Sequence, residues 1–150
     1  MKSVLYTFFI AMVPVVELRG AIPAGVASGL PVFAAVLISI AGNVVPVPFV
    51  LIFFRKVLRW MEKHSEFLGK LAKKLQQKAE SKKDKVLKYE FWGLVALVAI
   101  PFPGTGAWTG AMVAAIVDMQ LKRAVPAILL GVVIAGIVVG LATSGVVAVI

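Results

Sequence analysis

Residues 91–117 read FWGLVALVAIPFPGTGAWTGAMVAAIV, 27 residues without a single charge. That is long enough to cross a bilayer core, which takes about 20 apolar residues in a helix. Its middle, Pro101-Phe102-Pro103-Gly104-Thr105-Gly106, puts two prolines and two glycines into six positions. Proline lacks the backbone N–H and clashes with the preceding turn, so a helix cannot continue through this stretch without losing hydrogen bonds. The limbs on either side, 91–100 and 107–117, are each about 15 Å long as helix, half a bilayer. The fitting form is a hairpin that enters the membrane and returns to the same face.

The charges surrounding this run support a membrane reading. Of 23 charged residues in the 150-residue chain, 17 fall between positions 55 and 90, 12 basic and 5 acidic. The other six are Lys2, Glu17, Arg19, Asp118, Lys122 and Arg123, and they delimit uncharged runs at 3–16, 20–54, 91–117 and 124–150. Runs this long are the signature of membrane segments, and a soluble enzyme is excluded. The pI near 10.1 does not indicate a nucleic-acid partner, because the basic residues form one segment between lipid-soluble stretches. The chain has no cysteine, which excludes disulfides, thiolate metal sites and cysteine nucleophiles, and no metal or cofactor is expected. The lone His64 reads as a solvated residue of the charged segment.

Outward from there, the chain divides into five parts. Residues 1–30 form a first re-entrant hairpin, since run 3–16 is about 21 Å long as helix and falls short of a ~30 Å core. Its signal-peptide-like start runs into Glu17 and Arg19 without a small-x-small cleavage site and is read as retained. Gly29-Leu30-Pro31 ends the return limb, and 31–54 makes a full crossing. Residues 55–90 carry Leu58, Met61, Leu68, Leu71, Leu75 and Ala79 at helical spacing, an amphipathic helix, with a second helix starting at Ser81-Lys82-Lys83-Asp84. Residues 91–118 are the second hairpin, and 124–150 is a plain crossing.

A hairpin at 91–118 returns Lys122 and Arg123 to the face that carries 55–90, as the excess of cytoplasmic positive charge requires. Residues 30 and 150 are then expected outside, with 60–90 and 119–123 inside. The halves also share short motifs. Ile40-Ala41-Gly42-Asn43-Val44-Val45 matches Ile134-Ala135-Gly136-Ile137-Val138-Val139, and Arg19-Gly20-Ala21 can be set against Thr105-Gly106-Ala107. The expected fold class is an all-α integral membrane protein. It is an inverted repeat of re-entrant hairpin plus transmembrane helix, with a cytoplasmic amphipathic segment between the halves, an architecture that secondary transporters use.

The chemistry of the polar positions follows from their depth. A carboxylate within the membrane is costly unless paired, hydrated or protonated, so Glu17 is the candidate proton-coupling group. Arg19 stays charged and offers a planar fork that suits phosphate or carboxylate. The alternative is that the two merely pair and pin the hairpin. The glycine-rich tip 104–110, with Thr105, Gly106 and Thr109, offers backbone amides at a half-helix N-terminus suited to an anion, or else close packing through small residues. Asn43 is either an interhelical hydrogen bond or a cavity-lining group, and Trp108 a packing or gate residue. Trp60, Tyr89 and Trp92 fall where an interfacial aromatic belt would lie.

The pair Glu17-Leu18-Arg19-Gly20-Ala21-Ile22-Pro23-x-Gly25 and Pro101-Phe102-Pro103-Gly104-Thr105-Gly106-Ala107-Trp108-Thr109-Gly110 resembles a prokaryotic family labelled putative small multi-drug export proteins, over essentially the whole chain. That family is in turn similar to the DedA/VTT membrane proteins, which have two facing re-entrant hairpins and include candidates for lipid-carrier translocation and scrambling. The resemblance implies that Glu17 and Arg19 take the place of the hairpin acid and base. It makes Gly20, Pro23, Gly25, Pro101, Pro103 and Gly104 candidates for the substrate path beside Asn43, Thr105, Gly106, Trp108 and Thr109. One departure is plain: DedA-type second hairpins bring arginines, whereas residues 98–117 here carry no charge.

The expected function is therefore a secondary transporter in a prokaryotic-type plasma membrane. It would move a small amphiphile or a lipid-linked anion, with proton coupling through Glu17. Residues 55–90 would rest on anionic headgroups, and a homodimer is expected because two crossings and two hairpins hardly close a pathway alone. The alternative is a non-transporting membrane scaffold or lipid-organising protein.

Overall fold

Helices are the regular elements throughout the described residues: α1 (Lys2–Met12), α2 (Glu17–Ala27), α3 (Val32–Val44), α4 (Val47–His64), α5 (Glu66–Ser81), α6 (Lys83–Ala99), α7 (Ala107–Ile116) and α8 (Leu121–Val149). The structure is a computed structural model. It describes the backbone except at 82, 103 and 150, and side-chain surroundings except, in addition, at 72, 75–81 and 83–88.

The ends of the limbs have local causes. α2 stops where Gly29 takes φ +91°, Leu30 N–H bonds Gly25 O at 3.1 Å and Gly29 N–H bonds Val26 O at 3.0 Å. These two bonds satisfy carbonyls that the helix end would leave free. α7 ends the same way, with Asp118 at φ +51° and Met119 N–H on Ala114 O at 2.9 Å. Both hairpins thus turn sharply into the long helix that follows.

α8 is the common wall. Its first half packs on α6, where a side chain at Gly131 would strike Val98 and the carbonyl of Val95. Its second half packs on α3, where Gly136 and Gly140 lie against Ile40 and Val36. The core is built of Leu18, Ile22, Leu51, Leu94, Val98, Ile128 and Val132, with alanines at 107, 111, 114, 124 and 127. Small residues at helix contacts are what membrane packing favours, because lipid supplies no hydrophobic drive between helices. The outer faces carry large exposed apolar side chains, among them Phe9, Phe33, Phe49, Phe53 and Leu141. The stretches Val32–His64 and Leu121–Val149, of 33 and 29 residues, are long and apolar enough to cross a membrane.

Three expectations are revised in detail. The helical stretch expected to cross at 31–54 does not stop at 54. It kinks at Val45-Pro46, both still in right-handed helical conformation, and α4 carries on to His64. Pro46 and Pro48 supply the cause, since each lacks a backbone N–H. The amphipathic run 58–79 is not one helix. Ser65 is extended (φ −135°, ψ 116°), and α5 starts after it. α8 starts at Leu121 rather than 124, with Lys122 and Arg123 in its first turn. The helix expected from 81–84 into the second hairpin is present as α6. His64 is exposed and stacks on Trp60, ring centroids 4.6 Å apart.

Candidate functional site

The tips of the two hairpins meet. The first tip is Val13–Val16, between α1 and α2, and the second runs from Ile100 to Gly106, between α6 and α7. Glu17 opens α2 with a left-handed backbone (φ +50°), two residues after Val15 at φ +78°. Such conformations are unfavourable for side chains with a Cβ, most of all for β-branched valine. This turn sets the Glu17 side chain inward, where it is 4% exposed.

Two charges on one turn of α2 serve the two free helix ends of the second hairpin. The Trp108 backbone N–H, in the first turn of α7, donates to Glu17 Oε1 at 3.1 Å. A helix N-terminus has unsatisfied N–H groups and a partial positive charge, so a carboxylate is well placed there. The Arg19 guanidinium turns the other way. Its Nη2 donates to Ile100 O at 3.1 Å and to Thr105 Oγ1 at 2.8 Å, and its Nη1 to Phe102 O. Those carbonyls lie at and just beyond the C-terminal end of α6, where a cation is favoured. Among the described residues no hydrogen bond joins Glu17 to Arg19.

Small residues and hydroxyls shape the second tip. Gly104 and Gly106 have φ +86° and +136°. A Cβ on Gly106 would collide with the Glu17 carboxylate, so glycine is required both by the turn and by the close approach. Thr105 Oγ1 lies 2.7 Å from Ile100 O and 2.8 Å from Phe102 O, and Thr109 Oγ1 donates to Gly104 O at 3.0 Å. Trp108 also reaches back across the junction, its indole N–H donating to Met12 O at 3.2 Å. It therefore holds both sides of the first tip.

A narrow crevice too tight for a water molecule lies at the junction, lined by Glu17, Leu18, Arg19, Asn43, Val98, Gly106, Ala107, Val132 and Ala135. Val132 and Ala135 lie near the middle of α8, so the crevice sits about halfway along the longest helix. Asn43 is 1% exposed and its Oδ1 has no hydrogen-bond partner among the described residues; Ser39, one turn away on α3, is 0% exposed, its Oγ likewise unpartnered among them.

Of the sequence-derived site residues, the structure brings Glu17, Arg19, Asn43, Thr105, Gly106 and Trp108 to this junction, with Gly104 and Thr109 shaping the tip. Gly20 lies beside Val16 on α2. Pro101 is exposed on the tip, and Pro103 lies outside the described residues. Pro23 and Gly25 are elsewhere: Pro23 is exposed within α2, and Gly25 is buried against Thr7 and Ala35, where it lets α1, α2 and α3 pack. Sequence reading did not find Ser39, nor the carbonyls of Ile100 and Phe102 as partners of Arg19. The spacing of Ser39 to Asn43, one helical turn within an apolar run, was the available signal for the former. The Arg19–Thr105 match in the repeat alignment turns out to be a contact. Their helical settings differ, since Gly20 lies inside α2 whereas Gly106 precedes α7.

No curated protein and no solved structure matches the chain. A family model described as "Putative small multi-drug export protein" matches residues 17–138, from the buried glutamate to the second half of α8. The membrane-capable helices and this match agree on a membrane location. The chain belongs to the family of small multi-drug export proteins so described.

Proposed function

We propose that this protein is a secondary transporter that moves a small amphiphile or a lipid-linked anion across the bilayer, coupled to protons through Glu17. The observation that carries this reading is the position of the Glu17 carboxylate. It occupies the N-terminus of α7, the place a substrate anion would take. An anion can bind there only if Glu17 leaves, and protonation of the carboxyl removes the charge that holds it. Proton uptake and anion entry are then the same event. Arg19, released from the α6 carbonyls, supplies the guanidinium fork for the incoming group. This is a transporter rather than an enzyme.

In this reading the two hairpins are re-entrant and enter from opposite faces, each packed on its own long helix: α1 on α3, and α6 on α8. Residues 55–90 lie on the cytoplasmic side of a prokaryotic-type plasma membrane, their lysines near anionic headgroups, with Trp60 and Trp92 exposed toward the interface. A second copy completes the pathway. Non-helical backbone at membrane depth needs protein or water over it, and the tip residues Val15, Ile100 and Phe102 are exposed on one chain.

The test is reconstitution in liposomes with an imposed pH gradient, following a short-chain fluorescent phospholipid and a lipophilic fluorescent dye. Gradient-dependent movement of either probe, lost in Glu17→Gln, is the expected outcome. Identical leakage in liposomes with and without protein would overturn the reading. That outcome would favour a lipid-organising scaffold, for which the three hydrogen bonds of Arg19 within the fold already speak.

A further inference from the structure

The buried polar side chains among the described residues are Thr7, Glu17, Ser39 and Asn43, all in the first half of the chain. Thr7 donates to Ser3 O at 2.7 Å and Glu17 accepts from Trp108, but the oxygens of Ser39 and Asn43 have no partner among the described residues. A buried acceptor without a donor costs free energy, and such groups in folded proteins call for an explanation. Asn43 lines the same crevice as Glu17 and Gly106. Deprotonated Glu17 has no hydrogen to offer it. Protonated Glu17 does.

Building on the transporter reading, we propose that Asn43 is the second seat of the Glu17 carboxyl. Ionised, the carboxylate accepts from Trp108 N–H at the α7 N-terminus. Protonated, it swings within the crevice and donates its O–H to Asn43 Oδ1, leaving the α7 N-terminus open to an anion. The proton stays on Glu17, and only the hydrogen-bond partners change. Asn43 is thus a positioning residue that gives the neutral acid a place to go.

The surroundings leave the switch to this pair. Arg19 is the one charge on α2 besides Glu17, and it is occupied at the α6 end. α3 and α7 have no titratable side chain. Lys2 and exposed Tyr6 lie in the first half of α1, the charges of α6 fall at 83–90, and Lys122 and Arg123 stand in the first turn of α8. On α4, packed against α7 and α8, the charges start at Arg55, two turns beyond its first residue.

The experiment is infrared difference spectroscopy of the full chain in liposomes, between acid and alkaline pH. Glu17→Gln identifies the C=O stretch of protonated Glu17 by its loss. In Asn43→Leu that stretch is expected at higher frequency, as befits a carboxylic acid without an acceptor. Its pH midpoint should move toward acid by about one unit, the size of one hydrogen bond. Ser39→Ala should leave both unchanged. Replacing an unpartnered buried acceptor by a side chain of similar size does not threaten the fold, and Asn43→Ala gives a second variant with the same expected shift. A Glu17 band that titrates but ignores both Asn43 substitutions overturns the second seat and leaves the coupling reading standing. A chain in which no Glu17 band titrates overturns both.

Discussion

The backbone N–H of Trp108 and the Oε1 of Glu17 are 3.1 Å apart across a separation of 91 residues. Through this bond, the only acidic side chain between the charged segments and the first tip closes the N-terminus of a helix in the other half. Its partner in charge, two residues on, closes the C-terminal end of the preceding helix. The broken hairpin is thus completed by charges from outside it, which explains why residues 98–117 need none of their own.

Glu17→Gln tests that bond directly. The amide keeps an oxygen to accept from Trp108 N–H but loses the charge, worth about 0.3–1 kcal/mol at a helix N-terminus and up to ~2 when partly buried. The variant should fold and lose at most that much stability, while its transport loses pH dependence. Thermal unfolding in detergent, paired with flux across a range of pH, checks both halves. Normal flux with an unchanged pH profile would dispose of the coupling role.

Arg19→Lys and Arg19→Ala should separate fork from charge. Lysine retains a point charge able to reach one carbonyl but cannot span Ile100 O, Phe102 O and Thr105 Oγ1 together. Each charge-assisted hydrogen bond lost costs about 1.5–3 kcal/mol. Alanine should therefore lower the thermal midpoint markedly and lysine by part of that. Equal stability of the three proteins would show that the guanidinium does not hold the tips.

Much of this architecture is legible in the sequence because prolines, glycines and charges act locally. The break at 101–106 is where α6 and α7 part, since two prolines and two glycines admit no other outcome there. The Pro46–Pro48 kink carries the same signal more faintly, with no glycine beside it, and helix resumes at once. Ser65, in contrast, interrupts an amphipathic pattern whose apolar spacing runs straight through it, so periodicity alone does not show the break. At the site, Glu17 and Arg19 stand out because they are the only charges between Lys2 and Arg55. Their partners could not be read, because backbone N–H and carbonyl groups have no letter in the sequence.

Away from the junction, Glu90 on α6 carries a pH dependence of its own. Burial pushes its carboxyl above the usual glutamate range, and the nearby Arg123 charge pulls partly the other way. The folded protein thus holds this proton more tightly than the unfolded chain. Stability from this group is present at acid pH and is lost as pH rises from the unfolded value through the raised folded one. Glu90→Gln should flatten the fall in thermal midpoint over that interval. Arg123→Ala should steepen it by removing the opposing charge. A slope unaffected by either substitution would rule Glu90 out as its source.

The influence of Arg123 on Glu90 brings the start of α8 near the first half of α6, which bears on topology. Gln120 and Leu121 are exposed beside them. Single cysteines are clean probes in a chain that has none. Cysteine at 120 should label from the same side as one at 63, and cysteine at 29 from the other. Labelling of 120 with 29 would mean that residues 91–117 cross the membrane fully.

Gly106 gives the sharpest test of the junction, because two separate demands meet there. Its φ of +136° strains any residue with a Cβ, and that Cβ would also collide with the Glu17 carboxylate. Gly106→Ala should therefore be severely destabilising, by about 1–3 kcal/mol for the backbone alone, with the collision added. Shortening Glu17 to alanine removes the collision but not the backbone strain. In the double variant Gly106→Ala/Glu17→Ala, the loss should accordingly be smaller than the sum of the single losses, by a coupling of about 0.5–3 kcal/mol, as for residues in direct contact. Thermal or denaturant unfolding of the four proteins measures it. If the two losses simply add, the carboxylate does not lie over Gly106, and the closure of α7 by Glu17 falls with it.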